Sequence, residues 1–353
     1  MANVTYTVPN KNGSYDGDMV LKQYTSMTIN SGDTVTVDQP CRGLFIYVQG
    51  NCTINGTLSM SQRGAFANPN NNGGSDNNVV NSNGLRLPML TSGGSDTLTV
   101  ANTLFNGCGN AVRSAIANQS SISGNGTILT IAKTNTSRDS FSGQTRNATS
   151  SYGTPSQKSS VANSTGTGGR GGYWMNDSGC NGYVYVRGGA SSCFGGGSGG
   201  GGFSGNGGSC GATGDTTQAV DYGGAGGNGS SNHSYSGVGG GAGNPKGAGY
   251  GGNVSGGGNG NGGVIWLIVG GNLTIGSSGV ISANGNTGNN TWGDFNSAGG
   301  GSGGGRIIIA HKGTYSNSGT VQANGGNGGT TGNNWSEAGQ KGMNGTVTVQ
   351  QVL

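Results

Sequence analysis

Charge is scarce in this chain: Asp, Glu, Lys and Arg together make up 8% of its 353 residues. Sixteen basic residues against 12 acidic ones leave a formal charge of +4, with no block of Lys or Arg. That excludes the basic footprint of a nucleic-acid-binding protein, and no nucleic-acid partner is expected. Long apolar runs are missing too. The longest, Val264 to Val269, is far short of the roughly 20 residues of a membrane helix, so no membrane insertion is expected. The opening residues, Met1 to Gly13, hold neither a basic region nor an apolar one, which leaves no recognisable secretion signal and predicts synthesis and assembly in a cytoplasm. Only two histidines occur, His233 and His311, and the six cysteines include no Cys-x-x-Cys pair. No metal site and no cofactor are expected from such a set, and the thiols are read as free, small buried hydrophobes.

What the chain does have is glycine. Its 82 glycines and 6 prolines are about a quarter of all residues, and hydrophobic residues are only 30%, low for one large conventional core. Apolar and alternating runs concentrate before residue 138, at Val4–Val8, Met27–Ile29, Thr34–Val37, Leu44–Val48, Cys52–Met60, Leu98–Val100 and Ile128–Ile131. Their period of two predicts strands, and no helical period competes. Asn30-Ser31-Gly32-Asp33 and Asn55-Gly56 are turn signals, the second a hairpin or tight-turn dipeptide. Residues 138–167 are rich in Ser, Thr and Asn and read as a connector. The expected organisation is a β-rich N-terminal domain over 1–137, that connector, and a glycine-rich repeat domain over 168–353.

The repeat is clearest near the end. Val264–Val269, Leu273–Ile275 and Val280–Gly285 are followed by Arg306–Ala310 and then Thr320–Gly325, with a glycine excursion after each Ala-Asn-Gly. Leu44–Val48, Cys52–Ile54 and Thr57–Met60 have the same layout and read as an earlier copy. The fold class predicted is all-β: a short β-solenoid or stacked β-sandwich in which each unit adds a few apolar side chains to one narrow core. Ile265, Leu267, Leu273, Ile275, Ile307 and Ile309 are the expected core, with Trp266 also inside. The glycine excursions are expected to leave from one edge and meet. Polyglycine-II-like helices, which leave every N–H and C=O free for neighbours, offer a way to hold them together. Gly195–Gly202 and Gly299–Gly305 are expected to bond to one another as extended, nearly parallel segments.

Residues 44–65, Leu-Phe-Ile-Tyr-Val-Gln-Gly-Asn-Cys-Thr-Ile-Asn-Gly-Thr-Leu-Ser-Met-Ser-Gln-Arg-Gly-Ala, together with Ile-rich strands such as Gly303–Ile309, resemble the glycine-rich tail-fibre and virion proteins of bacteriophages. In texture the glycine half is similar to the tip adhesins of T-even-type phages. The resemblance implies a virion protein made in the host cytoplasm: a homo-oligomer, with a trimer favoured, bound to other virion proteins. It also implies attachment to a host-surface glycan or outer-surface protein. The long β-rich first half departs from the adhesin pattern.

Aromatic side chains in the glycine region are the candidate receptor-binding residues, because few other side chains there could meet a sugar ring or a partner surface. They are Trp292, Trp335, Tyr173, Trp174, Tyr222, Tyr235 and Tyr250. Sealing of the glycine packing is their alternative role. Trp292 and Trp335 stand out, since each closely follows a Thr-Gly-Asn-Asn. No catalytic residue is assigned and no enzymatic activity is expected. Glycan cleavage needs two carboxylates at a defined separation, and the acidic residues Asp16, Asp18, Asp139, Asp177, Asp215, Asp221, Asp294 and Glu337 are scattered. Two other functions stay open: a secreted bacterial surface or matrix protein, and a polysaccharide depolymerase.

Overall fold

The computed structural model describes residues 2–9, 11, 17, 19–65, 97–101, 122–124, 128–132, 166, 168–169, 171, 173–176, 195–199, 202–206, 230–231, 241–243, 257–291, 297–332 and 338–351. These residues contain strands and no helix. None of them therefore forms a helix long and apolar enough to cross a membrane.

The first seven strands are β1 (Val4–Tyr6), β2 (Val20–Tyr24), β3 (Met27–Ile29), β4 (Thr34–Val37), β5 (Leu44–Val48), β6 (Cys52–Ile54) and β7 (Thr57–Ser59). Three short strands follow, β8 (Thr97–Ala101), β9 (Ile122–Gly124) and β10 (Ile128–Ala132), which form an antiparallel sheet of order β8-β10-β9. Another three, β11 (Tyr173–Asn176), β12 (Phe203–Asn206) and β13 (Ser230–Ser231), pair in parallel. The last seven are β14 (Val264–Val269), β15 (Leu273–Ile275), β16 (Val280–Ser282), β17 (Arg306–His311), β18 (Tyr315–Asn317), β19 (Thr320–Gln322) and β20 (Thr346–Gln351).

Successive triplets of strands turn in the same way. Each triplet lays one strand in each of three sheets, with orders β2-β5-β14-β17-β20, β3-β6-β15-β18 and β1-β4-β7-β16-β19. Every pairing in these sheets is parallel. Because the rungs are in register, apolar side chains line up along the stack. Leu44, Ile265 and Ile307 stand in one row, Ile46, Leu267 and Ile309 in the next, and each is fully buried. The expected core residues Ile265, Leu267, Leu273, Ile275, Ile307 and Ile309 all lie in one hydrophobic cluster. Trp266 is buried as well, but alternation along β14 turns it to the sheet's other face, away from that cluster.

Short polar corners join the sheets. Asn55-Gly56 is such a corner and not a hairpin: β6 and β7 enter different parallel sheets, so what reads as one run over Cys52–Met60 is two strands. At the preceding corner, Gly32 adopts a φ of 85°, a conformation that side chains other than glycine rarely take. The corners also stack on one another. Asn51 Oδ1 accepts from the N–H of Asn272 at 2.9 Å, and Asn272 Oδ1 accepts from the N–H of Thr314 at 2.9 Å, so each side-chain amide satisfies a backbone donor one rung on.

The pairing runs across the expected division of the chain. β5, β6 and β7 from residues 1–137 pair directly with β14, β15 and β16 from residues 168–353, in the row-by-row match that the repeat predicts. The two stretches therefore share one core.

Cys41 and Cys52 are free thiols in that core, both with no exposed surface. Burial pushes the Cys52 thiol up to about 12. A thiolate is the reactive form, so neither residue is expected to react with an aromatic disulfide reagent at pH 8 until the chain is unfolded. Thiol titration followed by peptide mapping, with and without denaturant, checks this. The raised value also carries a sign. The contribution of a neutral Cys52 is complete below the ordinary thiol pKa and is lost as pH rises from there toward about 12.

Candidate functional site: the glycine excursions

Three excursions interrupt the strand triplets, over residues 60–263, 283–305 and 323–345, and all leave between a strand of the β1 sheet and a strand of the β2 sheet. Each is pinched shut at its base by the same hydrogen bond. Gly263 N–H donates to Met60 O at 2.9 Å, Gly305 N–H to Ala283 O at 2.7 Å, and Gly345 N–H to Ala323 O at 2.7 Å. The returning strand thus begins one residue after the neck closes.

Beyond the necks, the segment 297–305 is the hub. Every residue from Ser297 to Gly305 is buried. Around it lie residues 166 and 168–169 and the segments at 195–199, 241–243, 257–263, 283–289, 323–329 and 339–343, each joined to it by backbone hydrogen bonds. The bonds recur every third residue. Gly301 and Gly304 N–H donate to Gln340 and Met343 O, both at 2.9 Å, while the Gly301 and Gly304 carbonyl oxygens accept from Gly169 and Gly166 N–H at 2.9 and 2.8 Å. Gly329 and Gly326 N–H donate to Gly299 and Ser302 O, both at 2.8 Å. Gly303 N–H donates to Gly197 O at 2.7 Å, which joins the two glycine runs expected to meet. The two runs are antiparallel to each other: Gly196, Gly199 and Gly202 lie against Gly303, Gly300 and Ser297 in turn.

Side chains at this packing are small and few. Ser302 Oγ accepts from the Asn286 N–H at 2.7 Å and lies 3.1 Å from Gly260 O as donor. Ser198 and Asn261, both fully buried, bond to each other at 3.2 Å. The hub itself, Ser-Ala-Gly-Gly-Gly-Ser-Gly-Gly-Gly, carries no titratable group. Any chemistry of recognition therefore has to come from elsewhere on the excursions.

The second and third excursions run side by side over residues 285–291 and 324–330. Gly285, Gly288 and Thr291 N–H donate to Asn324, Asn327 and Thr330 O at 2.8, 2.9 and 3.0 Å, again every third residue. Asn284 and Asn290 side chains reinforce this, accepting from Asn324 and Thr330 N–H at 2.8 Å. These arms lead to residues 292–296 and 333–337, which contain Trp292 and Trp335 and lie outside the described residues. Tyr222, Tyr235 and Tyr250 lie outside them too. Tyr173 and Trp174 have a described backbone, in β11, where they pair with Phe203 and Ser204 of β12.

The carboxylates named above for glycan cleavage are all outside the described residues. Of the two acidic residues within them, Asp33 sits in the corner with Asn30, and Asp38 is bound by Lys11 Nζ at 2.6 Å and by the Val8 N–H at 3.0 Å. Partial burial opposes ionisation of Asp38, but Lys11 and the Val8 N–H outweigh it and hold its pKa below the ordinary value.

A signal for the hub was present in the sequence in the wrong place to be seen from the long glycine runs. Asn324-Gly-Gly-Asn327-Gly-Gly-Thr330 and Gly339-Gln-Lys-Gly342-Met-Asn-Gly345 keep a strict three-residue period. In the first, Asn324, Asn327 and Thr330 are the exposed positions. No protein-family description, no curated protein and no solved structure matches this chain.

Proposed function

We propose that this chain is a non-enzymatic structural component of a bacteriophage particle, a tail-fibre, tip or decoration protein that contributes to attachment at the host surface. In this reading the stacked triplets are a short β-solenoid, and the glycine segments are polyglycine-II-type helices packed around the hub. The observation that carries it is the three-residue period of backbone bonds about residues 297–305. A helix with three residues per turn and no internal hydrogen bonds points its amides outward in three directions, and only glycine lets neighbours come close enough to use them. Such a sheaf is a stiff mount for loops made of ordinary residues, which is what an attachment protein needs.

Attachment is assigned to the aromatic side chains of the excursion tips, with Trp292 and Trp335 as the leading pair. The partners are other virion proteins and a host-surface glycan or outer-surface protein. Self-association as a trimer comes from the likeness to phage fibres.

Binding of the purified protein to intact host-like bacterial cells tests the reading, with Trp292→Ala/Trp335→Ala as the comparison. Removing two aromatic anchors is expected to weaken binding at least about tenfold while circular dichroism stays unchanged. Binding by neither protein would leave a purely structural role in the capsid or tail. Binding that survives the double substitution would move the attachment site off the tips.

A further inference from the structure

We propose that copies of this chain associate end to end, the last rung of one stacking on the first rung of the next so that two of the three sheets run on from copy to copy. This goes beyond the virion reading and does not depend on it.

The two ends of the stack are unlike. At the far end the edge strands are β18, β19 and β20. β20 is the only strand of its rung among the described residues. Its core-facing side chains, Val347 and Val349, are 41% and 39% exposed, whereas Ile307 and Ile309, their partners one rung back, are fully buried. Met343, at the foot of β20, is 41% exposed, and these three are the exposed large hydrophobic residues among those described. The edge strands themselves carry no charge and no proline: they read Tyr-Ser-Asn, Thr-Val-Gln and Thr-Val-Thr-Val-Gln-Gln. Edge strands that must stay unpaired normally carry lysine, proline or a bulge. A six-residue uncharged edge rich in β-branched residues is built to be paired.

The near end is the complement. There β1 is the extra strand, and it stands in the sheet where the far end stops at β19. Conversely, the β2 sheet has no strand beside β1 at the near end, and β20 supplies one at the far end. One incomplete rung holds a strand of the β2 sheet, the other a strand of the β1 sheet. Stacked, β1 of one copy pairs with β19 of its neighbour and β2 with β20, which sets Val20 in the row of Val347 and Lys22 in the row of Val349; the third sheet has no strand in the shared rung, between β18 and β3. All these strands run in the same direction as their sheets, so the contact continues parallel ladders already present. Val4 and Tyr6 would then face Val347 and Val349 across a shared rung. The contact joins unlike surfaces and does not close on itself, so it produces an open series of copies.

Sedimentation velocity over a hundredfold range of protein concentration tests this. The unsubstituted chain is expected to give a series of species growing with concentration. Val347→Lys/Val349→Lys should weaken association on the order of a hundredfold, because two further charges would be buried at the contact, the one at 349 in the row of the neighbour's Lys22. Should that variant fail to fold, a cysteine pair decides the matter. Register across the β1 sheet places Gln322 in the row of Thr5, and Thr5 is exposed. Thr5→Cys/Gln322→Cys is expected to give, on oxidation, multimers linked between positions 5 and 322 of different copies, identified by mass spectrometry of the joined peptides. A single species at all concentrations without that link would overturn the proposal. So would links only between two copies of position 322, which mark tail-to-tail pairing.

Discussion

Gly301→Ala is expected to lower the unfolding free energy by about 3 kcal/mol, as overpacking of a filled interior does, whereas Asn327→Ala should change it by less than about 0.5 kcal/mol. Both residues lie in the glycine packing, and the contrast follows from its period. A Cβ at Gly301 would overlap the carbonyl oxygens of Gly326 and Asn327, backbone atoms that cannot swing aside. Asn327 already carries a side chain, directed to solvent at one of the exposed every-third positions. Differential scanning calorimetry of the two variants measures the difference. A drop of several degrees for the first and almost none for the second is the expected result. Equal tolerance at both positions would mean that the excursions are held by something other than close backbone approach.

The second large effect is expected in the stack. Leu267→Ala should cost roughly 2–5 kcal/mol, the range for a buried leucine that leaves a cavity. Leu267 is fully buried between Ile46 and Ile309 in the middle strand of the β2 sheet. In a stacked architecture each rung is stabilised by its neighbours, so a cavity in the middle rung weakens the coupling of both ends. Val347→Ala, in the uncovered last rung of the separate chain, should cost well under 1 kcal/mol. Denaturant melts of the two variants at low protein concentration, where copies are apart, compare them directly.

Much of the stack was legible in the sequence because the repeat carries its own register. The likeness of Leu44–Val48 to Val264–Val269 places those two strands side by side, and they pair in that way. Alternation picked out Ile265, Leu267, Ile307 and Ile309 as core for the same reason: a strand with one buried face writes a period of two. β2 was missed. Val20-Leu-Lys-Gln-Tyr24 places Lys22 where Ile46 stands in the next rung, so the apolar pattern breaks at the end of the stack. There Lys22 Nζ lies 4.8 Å from the centre of the Tyr6 ring, and the Tyr6 and Tyr24 hydroxyls hydrogen-bond, which closes that end of the core with polar atoms.

Composition and repetition by themselves determined that this chain is built from short strands, that its apolar residues serve one narrow core, and that glycine segments recur at one point of the repeat. The tertiary structure decided what touches what. Residues far apart in the chain, such as Gly197 and Gly303 or Ile46 and Leu267, become neighbours because parallel strands must stack to bury a face and glycine amides must find partners outside their own segment. Nothing local encodes those meetings. A glycine has no side chain with which to mark its partner, and only the joint closure of three necks onto one set of sheets brings the hub into being.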